Sequence, residues 1–167
     1  MGHSSRWVII GLIGVSAFAW WAGAQRSAAD VAYRVVDVID GDTIVVRRAG
    51  GHDETIRLLG IDTPETHHPT KPVGCYGPEA AAYTSRRLFG KVVTLEDDVE
   101  RHDIYDRRLA YVYLNGERFN DELLRRGYAR LLVIDPNRAH ARDMLDEELA
   151  AEHHRRGLWG ACEFSGS

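Results

Sequence analysis

Cysteine is nearly absent from this chain. The 167 residues hold two, Cys75 and Cys162, with neither Cys-x-x-Cys spacing nor a ligand pattern typical of zinc. A zinc-built fold and a disulfide-dense scaffold are excluded. Positive charge is also scarce. The formal net charge is −4 at pH 7, and Arg6 and Arg26 flank an N-terminal leader, so the rest is more acidic still. Binding of nucleic acid through bulk basicity is excluded; any such affinity has to come from local arginines and a bound cation. Low-complexity tracts and internal repeats are missing, and the length leaves room for one domain.

Only one long apolar run is present. Residues 7–24, WVIIGLIGVSAFAWWAGA, carry no charge. The run is apolar all round, which disfavours a helix of the domain itself. It reads as a signal peptide or a membrane anchor. Ala22-Gly23-Ala24 is a small-x-small cleavage pattern and favours removal; a length near the ~18-residue minimum span favours retention. Both readings carry the remainder across a membrane, so the protein is expected to be secreted or membrane-anchored. The expected organisation is a leader and short linker at 1–29, a domain at 30–162 and a tail at 163–167. In an oxidising compartment an isolated cysteine pair joins. A Cys75–Cys162 bridge would tie the start of the first helix to the tail, closing a loop that chain-entropy models value at about 4 kcal/mol.

Within the domain, Tyr33 to Ile39, Thr43 to Arg48 and Glu54 to Leu59 read as strands, the first two joined by the tight Asp40-Gly41-Asp42 turn. In the third, Thr55, Arg57 and Leu59 share one face, Ile56 and Leu58 the other. A loop with three prolines runs from Gly60 to Gly77. Pro78 and Glu79 then open a helix that Gly90 ends. Lys91 to Glu96 and Arg107 to Leu114 are two more strands. Phe119 to Arg126 reads as a short helix, Tyr128 to Ile134 as extended. A last helix from Pro136 to about Arg156 carries an apolar stripe of Met144, Leu145 and Leu149. The fold class expected is α+β, mainly β: a five-stranded oligonucleotide-binding (OB-fold) barrel with three packed helices, preceded by an N-terminal apolar helix.

Three short stretches carry the chemistry. Asp42 and Asp62 are carboxylates at strand ends, able to share a hard cation with a backbone carbonyl and water. That donor set suits calcium better than magnesium, which demands a stricter octahedron, and suits zinc poorly. Arg57 and Arg107 are planar cations able to grip a phosphate in pairs. Glu65 is a further carboxylate able to handle a water. Each piece has a bland alternative: Asp-Gly-Asp is a common structural turn, and a strand arginine usually faces solvent. The paired His67-His68 and His153-His154 read as solvated, and Arg125-Arg126 and Arg155-Arg156 as exposed helix ends.

The segments VIDGDT (38–43), IRLLGIDTPET (56–66), YGPEAAAYT (76–84), YDRRLAYVY (105–113) and LLRRGYAR (123–130) together resemble the staphylococcal-nuclease-like (thermonuclease) family. The resemblance implies a nuclease requiring Ca2+ that hydrolyses DNA and/or RNA by in-line attack of water, leaving 3′-phosphate and 5′-hydroxyl ends. It implies Asp42, Asp62 and the Thr63 carbonyl as calcium ligands. It further implies Arg57 and Arg107 on the scissile phosphate, Glu65 beside the water and Tyr105 on the phosphate side. A monomer is expected, touching a membrane only through an uncleaved leader. Three departures bear on substrate binding. Leu132 to Asp135 lacks the stacking aromatic of well-known secreted members, Ile104 replaces a lysine, and Asp106 a glycine. A binding-only barrel is the rival reading, but such a copy would be expected to lose some of the five catalytic side chains, and all are present.

Overall fold

The computed structural model describes residues 31–66 and 72–163. The apolar leader, its expected helix, His67-His68 and residues 164–167 lie outside the described residues. Among the described residues no helix is long and apolar enough to cross a membrane.

Three antiparallel strands come first: β1 (Ala32–Val38), β2 (Thr43–Arg48) and β3 (Asp53–Leu58). β4 (Ile61–Asp62) is a short stub, followed by α1 (Gly77–Leu88), β5 (Val92–Glu96), β6 (Arg108–Leu114) and β7 (Glu117–Arg118). Then come α2 (Phe119–Arg125), β8 (Arg130–Leu131), α3 (Ala141–His153) and a single turn, α4 (Leu158–Ala161). The main sheet runs β3-β2-β1-β5-β6-β7, and a parallel β3–β6 pairing closes strands 1, 2, 3, 5 and 6 into a barrel. In that closing seam Arg57 lies opposite Leu109. A register shift between Val35 and Asp37 marks a bulge in β1, the local coiling a small closed barrel needs. β4 and β8 pair separately, with Asp62 opposite Arg130.

Alternation in the strands fills the barrel. Val35, Ile44, Val46, Ile56, Leu58, Val93, Leu95, Ala110 and Val112 are buried. Leu59, expected on the face of Arg57, is also buried, because β3 ends at Leu58 and alternation ends with it. α2 closes one flank with Phe119, Leu123 and Leu124. Its Asn120 is fully buried: Oδ1 accepts the Val112 N–H at 2.9 Å, and Nδ2 donates to the Leu59 carbonyl at 2.8 Å. The amide joins β6 to the end of β3 by satisfying two main-chain groups no ladder reaches.

The expected stripe on α3 needs correction. Met144 is buried, but Leu145 and Leu149 are 40% and 50% exposed. The inward residues are Met144, Glu148 and Ala151, spaced four and three apart. Glu148 faces inward because its carboxylate accepts the Leu131 N–H at 2.8 Å. α3 also starts at Ala141 rather than near Pro136, since residues 135–140 serve as a strap. There Asn137 exchanges hydrogen bonds with the backbone of Glu100, and the Ala139 N–H donates to Asp98.

One buried acid joins α1 to α2. Glu122 accepts two hydrogen bonds from Arg87, both at 2.9 Å, and one from the Tyr83 hydroxyl. Tyr83 itself stacks on Tyr128, ring centroids 4.2 Å apart. Burial acts to raise the Glu122 carboxyl, but the bonds from Arg87 and Tyr83 outweigh it and hold it below its ordinary 4.5. A depressed carboxylate contributes stability above its unfolded pKa and loses it as pH falls through the folded one. Glu122→Gln should therefore cost about 1–3 kcal/mol at neutral pH. That deficit should shrink on acidification below pH 4.5. Thermal unfolding of both proteins across that range checks this; a deficit independent of pH would refute it.

Candidate functional site

The site forms where the β1–β2 turn meets the end of β3, the β4 stub and the loop before β6. Gly41 is squeezed in that turn: a Cβ there would lie 2.7 Å from the Thr63 side chain. Its carbonyl accepts the Thr84 hydroxyl of α1 at 2.7 Å. A glycine is required because the turn and Thr63 are in contact.

This contact buries Asp42 and fixes its direction. Oδ2 accepts the Thr63 N–H at 2.8 Å and the Thr63 hydroxyl at 3.1 Å, while Oδ1 accepts the Thr43 hydroxyl at 3.1 Å. Arg57 completes the arrangement. Its Nη1 donates to the carbonyls of Leu58 and Ile61 at 2.8 and 2.9 Å. Its Nη2 stands 3.2 Å from both Asp42 Oδ2 and Asp62 Oδ1. The side chain is only 15% exposed, so the solvent-facing alternative for Arg57 is overturned.

Arg107 enters the same region from the other side. Asp103 accepts its Nε at 2.7 Å and its backbone N–H at 3.0 Å, fixing the guanidinium's direction. Burial would raise Asp103, but the bonds from Arg107 and from the Tyr105 backbone hold it below its ordinary value. Arg57 and Arg107 line one cavity, whose other walls include Ile104, Leu109, Leu132 and Ile134. Where an aromatic was noted as missing, the surface is aliphatic. Tyr105 stands at the rim, 74% exposed, its ring 5.4 Å from the Arg107 Cζ. Arg108 points the opposite way, to Asp97 and Glu54, as strand alternation requires.

Glu65 lies close enough to Asp62 for its charge to raise the Asp62 carboxyl. Its Oε1 accepts the Thr66 N–H at 3.1 Å. Cys75 and Cys162 are joined in a disulfide, Cα atoms 5.9 Å apart, which shares a cavity with Asp62, Pro64 and Arg130. Asp42, Arg57, Asp62 and Thr63 thus form one contact cluster with Glu65 beside Asp62, and Arg107 joins it through the cavity it shares with Arg57.

Three further residues shape the site. Asp103 was missed, although its i, i+4 spacing to Arg107 was a readable signal. Arg130 was missed because its position opposite Asp62 depends on the β4–β8 pairing. Asp40 was read only as part of a turn. Burial, then the neighbouring Asp42 charge, push its carboxyl up to about 6. Burial and the charges of Asp42 and Glu65 likewise raise Asp62 against the pull of Arg57. Asp42 and Asp62 meet Arg57 directly, Asp40 and Glu65 add their charges beside them, and Arg130 lies opposite Asp62; acids outnumber the guanidiniums, which suits a cation. All the donors are hard oxygens, which fits calcium. Among the described residues no three Asp, Glu, His or Cys side chains form a ready cage. Asp42 and Asp62 would need the Thr63 carbonyl and water to complete a shell.

Fold and site together define a small OB-type barrel with an acid-lined, arginine-clamped cleft. A model of the family described as Staphylococcal nuclease homologue matches residues 55–161. The chain is 39% identical over 133 residues to the thermonuclease of Staphylococcus hyicus, covering 80% of this chain and 78% of that one. It is 40% identical over 138 residues to the thermonuclease of Staphylococcus intermedius, covering 81% and 82%. It is 37% identical over 123 residues to the SPbeta prophage-derived endonuclease YokF of Bacillus subtilis, covering 72% and 41%. The chain belongs to the staphylococcal nuclease homologue family.

A carboxyl raised by folding holds its proton more tightly in the native state. Asp40 therefore subtracts stability from the metal-free protein as pH climbs from its ordinary 3.8 through about 6. Asp40→Asn should gain thermal stability over the parent across that window, in the presence of a chelator. A stability difference that does not grow with pH would exclude the assignment.

Proposed function

We infer that this chain is an exported, calcium-dependent nuclease that hydrolyses phosphodiester bonds of DNA and/or RNA, leaving 3′-phosphate and 5′-hydroxyl ends. The chain is a hydrolase of the nuclease type. The observation that carries the finer reading is the Arg57 bridge between Asp42 and Asp62, in a cavity shared with Arg107.

Asp42, Asp62 and the Thr63 carbonyl would hold Ca2+, which supplies charge stabilisation at the phosphate. Arg57 and Arg107 flank the scissile phosphate and stabilise the negative charge that builds on its oxygens. Each arginine is held in direction beforehand, Arg57 by two carbonyls and Arg107 by Asp103, so little reorganisation is needed during reaction. Glu65 orients the attacking water or accepts its proton. The water oxygen bonds to phosphorus in line as its proton passes to Glu65 or solvent, the bond to the 5′-oxygen breaks, and that oxygen takes a proton from solvent water to leave as the 5′-hydroxyl. Tyr105, over Arg107, contacts the phosphate side of the substrate. The adjoining aliphatic walls receive a base by apolar contact rather than by stacking, which can contribute about 1–3 kcal/mol per base. The protein acts as a monomer, outside the cytoplasm; the apolar run at 7–24 and the disulfide support that location.

Digestion of single- and double-stranded DNA and of RNA, with calcium, magnesium or chelator, tests this reading when product ends are identified. Cleavage should require calcium and leave 3′-phosphates. Arg57→Ala, Arg107→Ala and Glu65→Ala should each lower kcat by about a hundredfold or more with the fold retained. Full activity in chelator would exclude the metal; full activity of the Glu65 variant would exclude its role.

A further inference from the structure

We propose that the Cys75–Cys162 disulfide is a positioning element of the active site, holding the backbone that carries Glu65, so that turnover depends on the bridge being oxidised. The proposal rests on the reading of Glu65 given above.

Glu65 follows β4 on a segment without regular secondary structure. Its support is another piece of chain. The Glu65 carbonyl accepts the Gly74 N–H at 2.7 Å. A Cβ on Gly74 would lie 2.9 Å from the Pro64 Cβ and 3.0 Å from the Glu65 nitrogen. One on Gly77 would lie 2.8 and 2.9 Å from the carbonyl oxygens of Pro64 and Glu65. The two stretches therefore run backbone against backbone, joined by that hydrogen bond, so a displacement of 74–77 is felt at Glu65.

On the C-terminal side the stretch is anchored by α1, which begins at Gly77, and by Tyr76, which takes a left-handed φ of 71° and stacks on Tyr128 with ring centroids 5.5 Å apart. Cys75, next to Gly74, is held in addition by its bridge. The second anchor is Cys162. Its N–H donates to the Leu158 carbonyl at 3.0 Å, Leu158 is buried, and the Leu158 N–H donates to the Gly127 carbonyl at 2.8 Å. Gly127 sits at the end of α2, pressed against the Arg156–Gly157 backbone. A continuous path thus runs from the α2 core through Cys162 and Cys75 to Gly74 and Glu65. Cys75 is exposed, within reach of a reductant. A small dithiol transfers two electrons and two protons to the bridge. This leaves two protein thiols and the reagent's own cyclic disulfide.

The test is a double-mutant cycle. Cys75→Ser/Cys162→Ser, and separately Gly74→Ala with the bridge intact, are each made in the parent and in Glu65→Gln. In the parent, each should lower kcat about ten- to a hundredfold with KM for an oligonucleotide unchanged. Dithiothreitol should do the same to the parent. In Glu65→Gln neither change should lower kcat further, because the group being positioned is already disabled. Equal losses in both backgrounds would overturn the proposal, as would a double-serine variant lacking native near-UV circular dichroism, which would make the bridge a staple of the whole fold. Full activity of Glu65→Gln itself would instead sink the underlying catalytic reading.

Discussion

One guanidinium organises this molecule's chemistry. Arg57 sits in the seam where β3 and β6 close the barrel, and it uses its donors in two directions. One nitrogen satisfies the carbonyls of Leu58 and Ile61, where the chain leaves β3 and enters β4. The other stands equally close to Asp42 and Asp62. A half-buried arginine is tolerable because two carbonyls and two carboxylates surround it. A buried carboxylate, Asp42, and a more exposed one, Asp62, are tolerable side by side because the arginine lies between them.

That mutual dependence sets the electrostatics of the cleft. Burial first, and then the neighbouring carboxylates, raise Asp40 and Asp62, and on Asp62 they do so against the pull of Arg57 and Arg130. An excess of hard oxygen donors favours a divalent cation over a protein cation. The second arginine solves a different problem. Arg107 is paired with Asp103 rather than with the acid cluster, so it stays aimed at the cavity. Both arginines have a local acid beside them, so an acidic protein still carries locally concentrated positive charge.

Around the cleft lies a frame that does no chemistry of its own. Glu122 ties α1 to α2 through Arg87 and Tyr83, and Thr84 on the same helix holds the Gly41 carbonyl. The disulfide adds a link from the C-terminal turn to the stretch beneath Glu65. The cavity beside the arginines sets the aliphatic side chains of Ile104, Leu109, Leu132 and Ile134 against the polar Glu100, Asp103 and Asn137.

Much of this was legible in the chain. Turn chemistry at Asp40 to Asp42 and the apolar alternation in five strands led to the barrel, because both are local rules. The acids and arginines of the site could be named from their motifs. Which way Arg57 faces could not, because alternation says which residues share a face and not which face meets the cleft. The inward placing of Met144, Glu148 and Ala151, with Leu145 and Leu149 left outside, was equally hidden: an acid on the inner side of a helix makes sense only when the Leu131 N–H is there to meet it. The place of Arg130 opposite Asp62 is the same kind of fact, as is the packing of Gly74 against Glu65; the Cys75–Cys162 bridge was expected from the sequence, but not what it lies against. The sequence by itself determined the elements and the chemical inventory, which depend on neighbours a few residues away. Only the tertiary structure decided which groups satisfy one another, because a buried charge or amide takes its orientation from partners that barrel closure brings in from distant parts of the chain.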